Sequence, residues 1–384
     1  MSRMKKNKKR NILILGSPYM ERIFADLTQT ALQRGWYLEM SERYNPPQNW
    51  QGDGVISTHL DVPAMNRFMD DILSRGIPVV DLLDVTGRAD IGRVCTDEAA
   101  LGRLAADHFR RHGYPQAAFF SFEWTALHQR RYDAFAAAFG APRPEKWCWR
   151  DETANPADRK ALAEWTARKV LESPKPMAVL TFNSYTASFF SQVCMDMQVS
   201  VPHEVAILSA IDNTIYTCHR DRQISGVEHD GNGICRRATA LLQRMMDGKC
   251  TRNESILIPP LGVAVRQSTD VCAVRDPALR KAVIYTAENI ARHFGPTQVA
   301  AETGIPLSRL NEIAQRELGR SMLEEIVRLR IETAKRLMRT TDGKFSTIAH
   351  QTGFCNASYL CKVFRQEVGV SPHTWRKRAG KPKS

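Results

Sequence analysis

A short pattern that makes two helices meet at a tight turn occurs twice near the end of this chain. The first copy runs Ala300-Ala301-Glu302-Thr303-Gly304 and continues through Ser308 and Leu310 to Glu317-Leu318-Gly319. The second runs Ala349-His350-Gln351-Thr352-Gly353 and continues through Ser358 and Leu360 to Glu367-Val368-Gly369. The turn glycines lie 49 residues apart and the closing glycines 50, so one residue separates the two registers. In each copy an alanine stands four residues before the turn glycine. The alanine lets two helices approach closely, and the glycine takes the left-handed conformation of the turn. The helix after such a turn is the one that enters a DNA major groove. One copy alone is a weak signal; two in tandem in a basic segment point to DNA binding.

Charge distribution agrees. The chain carries a net charge of +13, and the excess sits at its ends. Residues 1–10 hold six Lys/Arg and no acid, and residues 279–384 hold 19 Lys/Arg against 9 Asp/Glu. The middle is mildly acidic. A basic terminal domain is the electrostatic footprint of a phosphate-backbone binder. At 384 residues there is room for two or three domains with sizeable cores. With 43% hydrophobic and 25% charged residues, the chain has the composition of a globular protein and not of a disordered one. No apolar run approaches a membrane span. After the basic start, Ile12-Leu13-Ile14-Leu15 is too short for a secretory core. Nine cysteines without a CxxC pair favour reduced thiols, and so a cytoplasmic protein.

From residue 11 to 270 short apolar strands alternate with amphipathic helices. Strands are expected at Asn11–Leu15, Gly54–Ile56, Ile77–Val80, Ala117–Phe120, Met177–Leu180 and Val205–Ala210. Helices are expected at Glu21–Arg34, from the cap Asp97 to Arg111, and at Gln129–Phe139, Arg159–Leu171 and Ala187–Met195. This order implies parallel sheets covered by helices, in two similar lobes, with ligands bound beyond the carboxyl ends of the strands. Two short strands flank Pro259-Pro260. After Pro277 the chain reads as all helix, and the long helix Leu323–Arg339 joins the two repeats with apolar residues on more than one side. The expected organisation is a basic tail 1–10, a two-lobe α/β ligand-binding domain 11–270, a linker 271–278 and an all-α double helix-turn-helix domain 279–380.

The C-terminal residues resemble the DNA-binding domain of the AraC/XylS family of bacterial transcription activators. The resemblance rests on the two repeats together with Arg328, Arg330, Ala334, Leu337, Ile348-Ala349, Gly353-Phe354, Tyr359, Phe364-Arg365 and Gly369-Val370-Ser371-Pro372. The first repeat departs from the family pattern at Pro306, Glu312 and Ala314, and a carboxylate at 312 repels phosphate unless a cytosine amino group donates to it. The middle resembles the inducer-binding core of the LacI/GalR family, of periplasmic-binding-protein-like (type I) fold. The matching residues are Gly52–Ile56, Asp97 with Gly102, Arg131 with Phe135, Asn183, Val201–Val205, Ile211-Asp212-Asn213 and Arg266–Thr269. That family carries its DNA reader at the N-terminus, where this chain has only ten residues before the first strand.

The two resemblances together imply a cytoplasmic, sugar-responsive bacterial transcription regulator, an activator, with xylose or a related monosaccharide as effector. Double-stranded DNA and the sugar are the implied partners. A homodimer and contact with RNA polymerase are further expectations; a membrane partner and a cofactor are not expected. A solute-binding protein, a repressor with a different small-molecule effector, and a DNA- or nucleotide-modifying enzyme are the rivals. The absence of a secretory signal and of any nucleophile–base constellation weighs against the first and the last.

By resemblance Arg131, Asn183 and Asp212 are the ligand-contacting residues, since a guanidinium and a carboxylate each grip two hydroxyls. The alternative is that Arg131 and Asp212 form an ion pair, or that Asp212 caps a helix. Ser17 and Tyr19 follow the first strand in a ligand-facing loop. Trp124 offers a ring for a sugar face, or else packs within its loop. His108 and His112 are four apart but lack the companions of a metal site, so none is expected. On the DNA side, Ser308, Arg309 and Asn311 of the first repeat and Asn356, Ala357, Ser358, Cys361 and Lys362 of the second align with the groove-facing positions. Gln315, Arg316 and Arg365 align with phosphate contacts. Arg309, Asn311 and Lys362 are the expected direct readers.

Overall fold

The computed structural model describes every residue except 1–8, 17–20, 43–44, 59–60, 154, 220–221, 252, 271–273, 342 and 379–384. Its internal contacts divide the chain into two compact units. One comprises Met1–Ser173, Met177–Gln198 and Ala206–Asp270; the other comprises Pro174–Pro176, Val199–Val205 and Val271–Ser384.

The first unit holds two six-stranded sheets. In the first sheet the strands run in the order Ser255–Ile258, Gly92–Thr96, Val79–Asp81, Gly54–Ser57, Asn11–Gly16, Tyr37–Glu42, with parallel pairing throughout. Its central strands are apolar on both faces, as a sheet covered twice requires. Ile12, Ile14 and Ile56 pack on one side against the helices Glu21–Gln33 and Gly231–Met246. Leu13, Leu15 and Val55 pack on the other against Met65, Met69 and Ile72 of the helix Pro63–Ser74.

The second sheet has the order Gly262–Ala264, Ser225–Glu228, Val205–Ser209, Met177–Thr181, Ala117–Ser121, Glu145–Cys148. Ser225–Glu228 pairs parallel with Val205–Ser209 and antiparallel with Gly262–Ala264. Large aromatic residues fill this core: Phe119, Phe120, Phe135, Trp147 and Phe190 are fully buried.

The chain crosses between the sheets three times. It leaves the first after Thr96 through the helix Glu98–Arg111, returns through Gly231–Met246, and crosses again at Pro259-Pro260. Each lobe is therefore assembled from separated stretches of sequence.

Asp97 caps the helix Glu98–Arg111, its carboxylate accepting from the Ala100 N–H at 2.9 Å, as the sequence predicts. Several elements lie outside the sequence expectation: the strands Tyr37–Glu42, Gly92–Thr96, Glu145–Cys148 and Ser225–Glu228, and the helices Pro63–Ser74 and Gly231–Met246. His108 and His112 are structural. His108 is buried with Nε2 2.8 Å from the Thr269 hydroxyl, and His112 uses Nδ1 on the His108 carbonyl at 2.7 Å.

The second unit contains seven helices among its described residues: Pro277–Glu288, Pro296–Thr303, Leu307–Leu318, Met322–Thr340, Phe345–Gln351, Ala357–Val368 and Pro372–Arg378. Met322–Thr340 serves two cores. Met322, Ile326 and Leu329 join Leu279, Val299, Leu310 and Ile313. Ile331, Ala334 and Met338 join Ile348, Leu360, Val363 and Phe364. A capping box at Ser321 and Glu324 starts this helix. No helix among the described residues is long and apolar enough to cross a membrane.

Candidate functional site

The carboxyl ends of the strands in the first unit carry a cluster of charged side chains. Arg131, on the helix Ala126–Phe139, is 2% exposed. Its Nε and Nη2 donate to the two carboxylate oxygens of Glu98 at 2.6 and 2.8 Å. Nη1 donates to the Phe182 carbonyl at 2.7 Å, and the guanidinium lies 4.7 Å from the centre of the Phe182 ring. Phe182 is also stacked on His128, with centroids 3.6 Å apart.

Asp212 forms a second pair, with Arg266. Its two oxygens accept from Nη1 and Nη2 at 2.8 and 2.6 Å, and Oδ1 also accepts from the Thr217 hydroxyl at 2.9 Å. Gly226 permits this approach, because a Cβ there would fall 2.8 Å from the Asp212 Cβ. Burial opposes the charge on Arg266, but the Asp212 carboxylate outweighs it and holds the guanidinium above the ordinary arginine value.

His229 bridges the two sheets. Its Nε2 donates to the Ala210 carbonyl, at the end of Val205–Ser209, across 2.9 Å. That fixes Nδ1 as acceptor for the hydroxyl of Thr96, which ends Gly92–Thr96, at 2.8 Å. Burial, reinforced by the charge of Arg131, keeps the imidazole neutral by lowering its pKa.

These positions revise the sequence reading. Arg131 and Asp212 lie in one region and both are ion-paired, but not to each other: the partners are Glu98 and Arg266. Asn183 caps the helix Ser184–Asp196, its side-chain oxygen accepting from the Thr186 N–H at 2.9 Å, which leaves its NH2 group for other partners. Trp124 packs within the protein. Its indole N–H donates to Gln129 at 2.8 Å, its ring meets Phe119 and Tyr132 edge-on, and the Lys146 ammonium sits 4.0 Å from its centre. Ser17 and Tyr19 lie outside the described residues. Glu98, Phe182, His229 and Arg266 are additions. Glu98 directly follows the cap Asp97, and Arg266 opens the Arg266–Thr269 stretch, so both stand within motifs the sequence already marks.

In the second unit the two turns close as the glycines require, with φ of 71° at Gly304 and 69° at Gly353. The helix after each turn differs in what it offers. On Leu307–Leu318, Ser308, Arg309 and Gln315 are exposed. Arg309 pairs with Glu312 at 3.0 Å, and Arg316 with Asp276 at 3.3 Å and with Glu317 at 3.8 Å. Asn311 is half-buried, and its side-chain oxygen accepts from the Met322 N–H at 3.0 Å, which gives it a structural contact beside the proposed base-reading role.

On Ala357–Val368, Asn356 is the N-cap, accepting from the Tyr359 N–H at 2.8 Å. Ser358, Lys362 and Arg365 are exposed on one stripe, and Ala357 and Cys361 beside them are half-buried. Cys361, Lys362 and Arg365 line a shallow recess with Gln366 and Ser371. Among the described residues neither Lys362 nor Arg365 has a carboxylate partner.

Comparison with known proteins follows the same division. Residues 106–269 match the family model of a periplasmic binding protein-like domain, and residues 299–378 that of a helix-turn-helix domain. The chain is similar to the xylose operon regulatory protein of Escherichia coli K12, 24% identical over 370 residues and 90% of each chain. It is also similar to the arabinose operon regulatory protein of Salmonella typhimurium LT2, 32% identical over 102 residues, which are 26% of this chain and 36% of that one. A solved xylose-binding transcription activator superposes with a TM-score of 0.74 at 21% identity, covering 97% of this chain and 99% of that one. The operator-bound lac repressor dimer superposes with a TM-score of 0.54 at 14% identity over 70% of this chain and 96% of that one. The chain thus joins a periplasmic binding protein-like α/β domain to a helix-turn-helix domain.

Proposed function

We propose that this chain is a sugar-responsive transcription activator. Its sensor domain, residues 11–270, takes xylose or a related monosaccharide at the Glu98–Arg131–Asp212–His229 cluster. A linker, 271–278, leads to a DNA-binding domain, 279–380, that reads double-stranded DNA. In this reading the protein works as a homodimer in the cytoplasm and recruits RNA polymerase. The carrying observation is that one chain joins both parts in the order found along nearly the whole length of the xylose operon regulatory protein. The cluster supports the sensor half. It lies beyond the carboxyl ends of parallel strands from two sheets, where such folds bind ligands. His229 ties one sheet to the other there, so a ligand seated beside it alters the contacts between lobes. A sugar shifts the protein only by binding one lobe arrangement more tightly than another.

The test has two parts. A thermal-shift screen of the purified protein against pentoses and hexoses is expected to give a selective rise for one sugar, because a ligand that binds the native state alone stabilises it. Selection of bound DNA from a random pool, followed by a promoter–reporter assay with and without that sugar, is expected to give paired half-sites and sugar-dependent expression. No shift with any sugar removes the sensor half of the proposal. A fall in expression on adding sugar turns the activator into a repressor.

A further inference from the structure

The two guanidiniums of the sensor cluster are each already matched by a carboxylate. Arg131 is enclosed and commits Nε and both Nη atoms to Glu98 and the Phe182 carbonyl. Arg266 commits both Nη atoms to Asp212 and the Ile224 carbonyl. His229 has spent both ring nitrogens. Each guanidinium spends three of its five N–H groups in these bonds and has its charge matched by one carboxylate. Glu98 is different. Each carboxylate oxygen offers two lone pairs, and Arg131 takes one from each. Its side chain keeps 14% of its surface exposed, against 8% for Asp212, whose Oδ1 already accepts twice.

We propose that Glu98 is the specificity-determining group of the sensor site: a carboxylate that Arg131 holds in place, that accepts from ligand hydroxyls, and that selects an uncharged polyol against sugar phosphates and sugar acids. Arg131 is then a positioning residue and not a ligand contact. The physical ground is the asymmetry of desolvation. Hydroxyls donating to a carboxylate replace its lost water, whereas a phosphate or carboxylate brought beside it adds a second buried negative charge where the described arginines of the cluster are already paired. The salt bridge to Arg131 pins the Glu98 side chain, so no rotamer freedom is lost on binding. This inference rests on the sensor reading proposed above, and the experiment separates the two.

Titration calorimetry on the full chain uses D-xylose, D-ribose, L-arabinose and D-glucose beside D-xylonate, D-ribose 5-phosphate and D-glucose 6-phosphate. The wild type is expected to bind one neutral sugar and to give no heat with the acid or phosphates. Glu98→Gln is expected to weaken the neutral sugar about 10- to 100-fold, the worth of a charge-assisted hydrogen bond, and to narrow the gap to the anions. Because Glu98→Gln leaves a buried guanidinium poorly paired, Glu98→Gln/Arg131→Met removes both charges together and is expected to fold and still lose the sugar. Arg131→Lys keeps a cation beside Glu98 and is expected to retain the sugar-over-acid ratio, which a mere packing role would not govern. Wild-type affinity in both Glu98 variants overturns the proposal while leaving the sensor reading intact, as does tighter binding of a sugar phosphate than of its parent sugar. Failure of the wild type to bind any of the seven compounds overturns the sensor reading and this inference with it.

Discussion

The side-chain oxygen of Asn311 accepts from the backbone N–H of Met322 at 3.0 Å. The contact satisfies one of the unpaired donors at the start of the long helix Met322–Thr340 and ties that helix to the end of the first helix-turn-helix. The expected outcome of Asn311→Ala is a loss of about 0.5–2 kcal/mol of stability, the range for a lost cap, with the preferred DNA sequence unchanged. Thermal unfolding and a selected-sequence profile check both halves. A changed base preference without loss of stability would place Asn311 in the groove.

The two turn glycines face different constraints. Gly304 has a positive φ and open space around its missing Cβ, so Gly304→Ala is expected to cost only the left-handed backbone term, about 1–2 kcal/mol. At Gly353 a Cβ would also fall 2.5 Å from the Ile290 carbonyl oxygen and 2.6 Å from that of Arg292. Those carbonyls belong to the stretch that Arg330 secures, through its bonds to Arg292 and Phe294 at 3.1 Å each. Gly353→Ala is expected to add an overpacking cost of about 1–3 kcal/mol to the backbone term. Equal melting temperatures for the two variants would show that the loop yields without cost.

What was legible in the sequence is local. The doubled Ala-to-Gly spacing, the apolar strands and the Asp97 cap are fixed by residues within a few positions of each other. Elements without that signature were missed. Gly92–Thr96 has polar residues among its five, and Gly231–Met246 opens with Gly231-Asn232-Gly233, which reads as a breaker until Asp230 is seen capping it at Gly233. The choice of ion-pair partner was also out of reach. Arg131 meets Glu98 33 positions away and Asp212 meets Arg266 54 positions away, and only the three crossings between the sheets bring those residues together. The resemblance marks Arg131 and Asp212, and the structure adds the partners Glu98 and Arg266 that each of them holds.

The Asp212–Arg266 pair is largely buried, with side chains 8% and 16% exposed. Asp212→Ala leaves Arg266 without its anion in a desolvated setting, and the expected loss is about 3–5 kcal/mol. Loss of sugar response in that variant would therefore not by itself identify a ligand contact. Asp212→Leu/Arg266→Met, which removes both charges, is expected to recover most of that stability. The double-mutant cycle in denaturant measures the coupling; additive losses would mean that the two side chains do not depend on each other.

Burial holds His108, with some help from His112 and Arg111, down to about 4, and holds His128, with the charge of Arg131, down to about 3. His229 is lowered in the same direction. The unfolded chain then binds more protons than the folded one below about pH 6.5, the free histidine value, so stability rises with pH through the window between about 4 and 6.5. The melting temperature is expected to fall from pH 7.5 to pH 5, well before the carboxylates titrate. His108→Gln keeps a side-chain partner for Thr269 and is expected to flatten part of that slope. A melting temperature that does not change between pH 7.5 and pH 5 would contradict it.

Arg316 and Arg365 both lie near the C-terminal ends of their helices, one residue out of register with each other, and differ in what they already hold. Arg316 shares its charge with Asp276 and Glu317, whereas Arg365 is exposed and, among the described residues, has no carboxylate beside it. A cation that neutralises one phosphate releases its counterions and contributes about 0.9 to the slope of log affinity against log salt. Arg365→Ala is expected to weaken binding to all sequences alike and to reduce that slope by about this amount; Arg316→Ala is expected to change it far less. Lys362→Ala is expected to act differently from both, costing about 1–3 kcal/mol on the preferred site and relaxing selection at one base pair. If Arg316→Ala lowered the salt slope as much as Arg365→Ala, the Asp276 and Glu317 pairs would have to open on DNA, and the first helix-turn-helix would hold the backbone as firmly as the second.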